Sequence, residues 1–197
     1  MTDANLLEAL AAADGGVLTT AAVVKKGIPK TILANFVSEN HYERVSLGVY
    51  LAPGAWRDEA YLLQLRCPQI IFSHDSALYL HDLTDREPLH TTVTARTGYN
   101  PKHLTSQGIK VFTVKRELYE IGLSVAVTPF DHQVRVYDLE RTICDILRSR
   151  SVMETQTFQD ALKQYARNRE KNLQNLMEYA RQFRVEKLMR QYMGVLL

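Results

Sequence analysis

The chain of 197 residues is long enough to bury a substantial core and fits one or two domains. Hydrophobic residues make up 46% of it and the net charge is only +2, which is an ordinary composition for a water-soluble protein. Its apolar runs fall short of the roughly 18 residues that a membrane-spanning helix needs, and the N-terminus lacks the basic-then-apolar pattern of a signal peptide. We therefore expect a cytoplasmic protein without membrane contact.

The first elements in chain order are a helix and a short strand. Leu6, Leu7 and Leu10 share one side of a helix predicted over residues 5–13, and a turn at residues 14–16 ends it. Val17 and Leu18 follow this turn. We expect them to pair with a later hairpin.

Residues 19–38 predict a helix-turn-helix. Thr19 or Thr20 can cap a helix that runs to Lys26, and Gly27 tolerates the left-handed conformation that ends a helix. Pro29 supplies a preset φ for the first turn of the next helix. One face of that second helix is apolar because hydrophobic residues recur at helical spacing: Ile28, Ile32, Leu33, Phe36 and Val37.

The opposite face of the second helix suits a DNA groove. It carries Lys30, Thr31, Ala34, Asn35 and Ser38, which are short or hydrogen-bonding side chains without a carboxylate. A generic solvated face would often include Glu, whereas these side chains can reach base edges in a major groove.

Alternating residues after His41 predict a β-hairpin that turns near residues 46–48. Val45, Leu47, Val49 and Leu51 alternate with polar or small residues. A hairpin directly after a recognition helix is a wing. Residues 1–56 are therefore predicted to form a winged helix-turn-helix DNA-binding domain.

The predicted DNA contacts divide into two groups. Base edges are assigned to the second helix, and phosphates to the turn and the wing. The base-edge residues are Lys30, Thr31, Asn35 and Ser38, and the phosphate residues are Lys25, Lys26, Arg44 and Ser46.

The charge balance of this domain leaves a second interpretation open. Residues 1–57 carry five Lys or Arg and five Asp or Glu, so the domain is neutral and its DNA affinity should be modest and salt-dependent. Winged helices also serve as protein-interaction modules. An adaptor that binds a protein partner is therefore the alternative to a DNA-binding protein.

Residues 57–136 predict a mixed α/β part with a small β-rich region. A helix is expected over residues 58–66, and Pro68 ends it. β-branched and alternating patterns then predict strands at residues 70–72, 90–96, 109–114, 125–128 and 133–136.

Two histidines in residues 73–85 raise the question of a chemical site. His74 and His81 lie seven residues apart on one helical face, and each precedes an aspartate. No third ligand is spaced to join them in a metal site, so we interpret each His-Asp as a cap or a satisfied surface pair. Ser73 lacks a nucleophile elbow, and the isolated Cys67 and Cys144 have no zinc-site spacing.

Residues 137–197 predict a helical bundle. Asp138 is expected to cap a helix with an apolar side, and three further amphipathic stripes follow at residues 158–166, 173–183 and 185–193. Glu140, Arg141 and Asp145 could form a polar catalytic cluster. Their spacing favours a capped helix with ion pairs on its surface instead.

The C-terminal part is also the basic part of the chain. Residues 141–197 carry eleven Lys or Arg and six Asp or Glu, whereas residues 58–140 carry eight and eleven. Exposed basic faces are usually solvated surfaces, and phosphate contact is the alternative here. The residues of this possible basic surface are Lys163, Arg167, Arg184, Lys187 and Arg190.

Three stretches resemble the AbiEi antitoxins of bacterial type IV toxin-antitoxin systems, which act in abortive infection against phage. They are the Gly27-Ile28-Pro29 turn with the wing at residues 43–50, the segment 73–85, and the segment 136–145. The resemblance implies a transcriptional autorepressor whose winged helix binds inverted repeats upstream of its own operon. It also implies that residues 57–197 are an antitoxin domain, which counters a nucleotidyltransferase toxin without forming a stable complex with it.

A DNA-acting enzyme is the least favoured class. A metal-dependent nuclease needs a carboxylate followed closely by Glu-x-Lys on a strand, and the best strand has Thr94-Ala95-Arg96 instead. We therefore expect no catalytic residues, no metal and no cofactor.

Overall fold

The computed structural model describes residues 2–196 and contains two compact units. The first unit comprises the chain up to Pro68 together with Val127–Val134, and the second unit comprises Gln69–Ala126 together with the chain from Arg135 onward. This division differs from the predicted boundary at residue 56, because the helix after that residue and a distant loop belong to the first unit. In the described part of the chain, no helix is both long and apolar enough to cross a membrane.

The first unit contains four helices and a three-stranded antiparallel sheet in the predicted order. The elements are α1 (Asp3–Ala13), β1 (Val17–Thr19), α2 (Thr20–Lys25), α3 (Lys30–Glu39), β2 (Glu43–Ser46), β3 (Val49–Leu51) and α4 (Glu59–Arg66). The sheet order is β1-β3-β2, and Val17 pairs with Leu51. The predicted pairing of Val17 and Leu18 with the hairpin is confirmed.

The turn between α2 and α3 follows from local chemistry. Thr19 Oγ1 accepts a hydrogen bond from the Ala22 N–H at 3.1 Å, which confirms the predicted cap. Gly27 has a φ of 80°, and Ile28 then turns inward to be 3% exposed. Ile28 joins a core that also includes Leu7, Leu18, Val23, Leu33 and Phe36. Burial of each large aliphatic side chain in this core contributes roughly 1.5 to 3 kcal/mol to the stability of the folded state.

The second unit contains a five-stranded mixed sheet with the strand order β6-β5-β4-β8-β7. Its strands are β4 (Ile71–Phe72), β5 (Thr92–Arg96), β6 (Lys110–Val114), β7 (Leu123–Val127) and β8 (Gln133–Tyr137). β4 is antiparallel to β5 and parallel to β8, and β5 is parallel to β6. The five predicted strand positions are confirmed to within two residues at each end.

The helices of the second unit share a hydrophobic core. They are α5 (His74–Leu80), α6 (Lys102–Thr105), α7 (Arg116–Tyr119), α8 (Leu139–Arg148), α9 (Thr155–Arg167), α10 (Leu173–Gln182) and α11 (Glu186–Leu196), with a 3-10 turn at Arg150–Val152. Side chains of α8 to α11 pack together, as the apolar stripes predict. α6 and α7 are single turns that no periodic pattern predicts. The sheet and these helices belong to the same compact unit. The fold class, α+β, is as expected.

Candidate functional site

α3 separates a buried face from an exposed polar face. Leu33, Phe36 and Val37 are buried, as predicted. The four side chains assigned to base edges are all exposed: Lys30, Thr31, Asn35 and Ser38. The residue that ends α3, Glu39, is its one carboxylate.

The hairpin is held to both helices of the turn. The Thr20 N–H, at the start of α2, donates to the Gly48 carbonyl at 2.8 Å. Tyr42 packs against Phe36 of α3 with ring centroids 5.6 Å apart. Arg44 is exposed on β2, whereas Ser46 is half-buried. The hairpin is thus fixed relative to α2 and α3 within the first unit.

Two acids near the hairpin pair with Arg57 and not with the cations that are predicted to contact DNA. Arg57 Nη1 lies 2.7 Å from Oε1 of Glu43, and Arg57 Nε lies 3.1 Å from Glu59. These two acids surround the Arg57 guanidinium and raise its pKa. The cations predicted to contact DNA make no ion pair with a described residue; they are Lys25, Lys26, Lys30 and Arg44. The neutral charge count of this module therefore conceals unpaired cations at the turn before α3, at the start of α3 and on β2.

The basic residues predicted on the C-terminal helices line different grooves. Lys163 and Arg167 line a groove of about 510 Å³ with Arg86, whereas Arg184 lines another of about 360 Å³. Two members are already paired. Lys163 lies 3.7 Å from Asp160, and Arg190 lies 2.8 Å from Glu186. Lys187 is exposed.

His74 is a buried structural residue, so its predicted place at the surface is wrong. The side chain is 3% exposed, and its ring stacks on Phe112 with centroids 3.6 Å apart. Its Nδ1 lies 3.1 Å from Ser73 Oγ and its Nε2 lies 3.0 Å from Ser149 Oγ. Burial lowers the pKa of His74 to about 4, so the imidazole is neutral near pH 7.

His81 does not join His74 in a site. Its Nε2 bonds to the Tyr137 carbonyl at 2.6 Å. Among the described residues, no group of three or more His, Cys, Asp or Glu side chains could hold a metal ion.

The predicted surface pair on α8 is buried, and this corrects the sequence interpretation. Arg141 is 0% exposed and Asp145 is 1% exposed. Arg141 Nε donates to Asp145 at 2.9 Å, and its Nη1 donates to the carbonyls of Leu118 and Ile121 at 2.8 Å. Its guanidinium also lies over the Tyr137 ring at 3.9 Å. The pair ties α8 to the segment around α7.

The two acids that flank this pair bind tyrosines. Glu140 accepts hydrogen bonds from Tyr165 at 3.0 Å and from the Asn172 N–H at 2.7 Å. Asp138 caps α8 through the Arg141 N–H and accepts from Tyr179, whose pKa is raised to about 12 by partial burial and by that carboxylate. The polar side chains of the segment 136–145 therefore hold the second unit together.

Comparison with known proteins shows the fold alone. No family model and no curated protein matches the sequence. The structure is similar to the crystal structure of the RV2827C protein from Mycobacterium tuberculosis, with a TM-score of 0.56 and 15% sequence identity. The match covers 89% of this chain and 70% of that chain. The class that emerges is a two-unit α+β protein.

Proposed function

We propose that this chain is an AbiEi-type antitoxin that represses its own operon. In this proposal the first unit is a winged helix-turn-helix that binds inverted repeats in the promoter. The second unit counters a nucleotidyltransferase toxin without forming a stable complex with it. Because the operator DNA lies in the cytoplasm, so does the protein.

The exposed face of α3 is the main support for the DNA-binding part of the proposal. It presents lysine, hydroxyl and amide groups, with free cations on the turn before it and on β2 after it. The Arg57 guanidinium donates hydrogen bonds to Glu43, the acid next to Arg44, so Glu43 is paired with Arg57 and not with Arg44. A groove-reading helix flanked by phosphate-binding cations requires this arrangement.

Specific roles follow from the side-chain chemistry. Asn35 can bind adenine through paired hydrogen bonds at N6 and N7, and Lys30 can donate to guanine O6 and N7. A good bidentate base contact contributes about 1 to 3 kcal/mol of discrimination. Lys25, Lys26 and Arg44 would bind phosphates and supply the salt-dependent part of the affinity.

A gel shift against the DNA upstream of the gene tests this proposal. We expect specific retardation, and we expect Lys30→Ala combined with Arg44→Ala to weaken it at least tenfold at fixed salt. Lys102→Ala combined with Arg116→Ala is the matched control, because both residues are exposed and the charge change is equal. Equal retardation of a scrambled duplex, or equal binding by both double variants, would contradict the proposal and favour the protein-binding adaptor.

The antitoxin half rests on the resemblance of segments 73–85 and 136–145 to the family. Coexpression with the toxin of the same operon tests it separately. The Lys30→Ala, Arg44→Ala variant should still rescue growth, because neither residue lies in the second unit. Loss of rescue together with a folded protein would show that the two activities are not divided in this way.

A further inference from the structure

An exposed aromatic pair marks a second candidate site in the first unit. Trp56, the single tryptophan of the sequence, is 78% exposed and stacks beside Phe130, with ring centroids 6.4 Å apart and planes inclined by 28°. The two rings line a cavity of about 410 Å³ together with Gly15, Pro129, Asp131 and His132. Sites for small molecules are typically about 300 to 1,000 Å³, so this cavity can hold a nucleoside. None of these residues is used by the proposed DNA contacts.

His132 is held in this cavity by a buried carboxylate. Its side chain is 8% exposed, and its Nδ1 lies 2.8 Å from Oδ2 of Asp58, which also accepts from the Thr128 hydroxyl. The ring stacks on Tyr61 at 4.2 Å with an interplanar angle of 3°. In the neutral imidazole the carboxylate keeps the proton on Nδ1, so Nε2 is a hydrogen-bond acceptor.

The Nε2 atom has no partner among the described protein atoms, although it is buried. Buried polar atoms without a protein partner are rare in folded proteins, and a bound water or a ligand would supply the missing hydrogen bond here. Gly15 lies over it: a Cβ at that position would come 2.7 Å from Nε2. On this side the nitrogen is therefore covered by a residue that has no side chain.

The polar groups of the cavity are acceptors. Asp131 is exposed and carries a φ of 64°, a left-handed conformation that turns the chain at the edge of the cavity. Among the residues that the structure describes, no Lys or Arg lines the cavity. Its charge therefore complements a planar ligand rich in N–H donors and disfavours a phosphate group inside it.

We infer that this cavity binds a guanine-type base. The base stacks on Trp56 and Phe130, and base stacking on aromatic side chains tolerates many sequence contexts. Its N1–H and 2-amino edge presents two parallel donors, which match the carboxylate of Asp131, while His132 Nε2 accepts a further N–H. The base can belong to a free nucleotide or to a single-stranded nucleic acid, because both present the same edge.

Trp56 emission tests the inference directly, because no other residue of the sequence is a tryptophan. Guanosine, guanosine monophosphate and a single-stranded oligonucleotide with one unpaired guanine are the probes, with uridine and inorganic phosphate as negative controls. We expect saturable quenching by guanine probes. We expect at least tenfold weaker binding in Asp131→Asn and in Phe130→Ala, and unchanged binding in Leu89→Ala, an exposed apolar control in the second unit.

The outcomes separate the two sources and decide the inference. Tighter binding of the oligonucleotide than of the monophosphate would identify a base in a nucleic-acid strand, and the reverse would identify a free nucleotide. Asp131→Asn changes an exposed residue and so keeps the test valid if Phe130→Ala fails to fold. The inference is wrong if no guanine probe gives saturable quenching up to about 10 mM, a range that covers even millimolar affinity. It is also wrong if uridine quenches equally.

Discussion

Asp145→Asn offers the sharpest test of how the second unit is held together. The substitution removes the negative charge that faces Arg141 Nε at 2.9 Å, and both side chains are almost fully buried. Nη1 of Arg141 keeps its two carbonyl acceptors, but the guanidinium charge loses its buried counterion. Breaking a buried ion pair from one side typically costs about 3 to 5 kcal/mol. This is a large share of the roughly 5 to 15 kcal/mol by which domains are stable.

Urea unfolding followed by far-UV circular dichroism measures this effect. With a urea dependence of about 1 to 3 kcal/mol per molar, the midpoint should fall by about 1 to 5 M. Glu43→Gln is the control, because it breaks the exposed pair with Arg57, and exposed pairs contribute only about 0 to 1 kcal/mol. A shift no larger than that of the control would refute the claim that the buried pair stabilises this unit.

Two further predictions concern single positions in the second unit. The pKa of His74 is lowered to about 4 by burial, so the unfolded chain binds a proton that the folded chain excludes between pH 6.5 and about 4. The free energy of unfolding should therefore fall by about 3 kcal/mol as the pH falls through that window. Urea midpoints measured across this range should decrease less for His74→Gln than for the exposed control His90→Gln. Gly122→Ala should lower the melting temperature more than Gly98→Ala, although both positions have positive φ. A Cβ at Gly122 would lie 2.4 Å from Arg141 Cβ, whereas a Cβ at Gly98 would meet no described atom within 4 Å other than those of its two chain neighbours. Equal shifts at the two glycines would contradict this reasoning.

Local elements were predictable because their causes lie within a few residues. The caps of Thr19 and Asp138 bond to N–H groups three residues further on, so sequence spacing is sufficient to identify them. The exposed side of α3 follows from its apolar period for the same reason. The order of helices and strands in the first unit was therefore accessible from the chain alone.

The interiors of the two units were not predictable in this way. Spacing of four residues identifies the Arg141–Asp145 pair, but an exposed and a buried pair have the same spacing. What decides between them is the set of rings and carbonyls that surrounds the guanidinium, contributed by Tyr137, Leu118 and Phe183.

Sequence alone determined which residues can make helices, turns and an exposed polar face on α3. Only the tertiary structure decided which charges remain free and which polar groups are enclosed. Glu43 and Arg57 are 14 residues apart, and Asp58 and His132 are 74 apart, yet each pair is in direct contact. Such contacts depend on how distant segments pack, and no local pattern encodes that packing. The candidate guanine site therefore emerges only once the chain is folded.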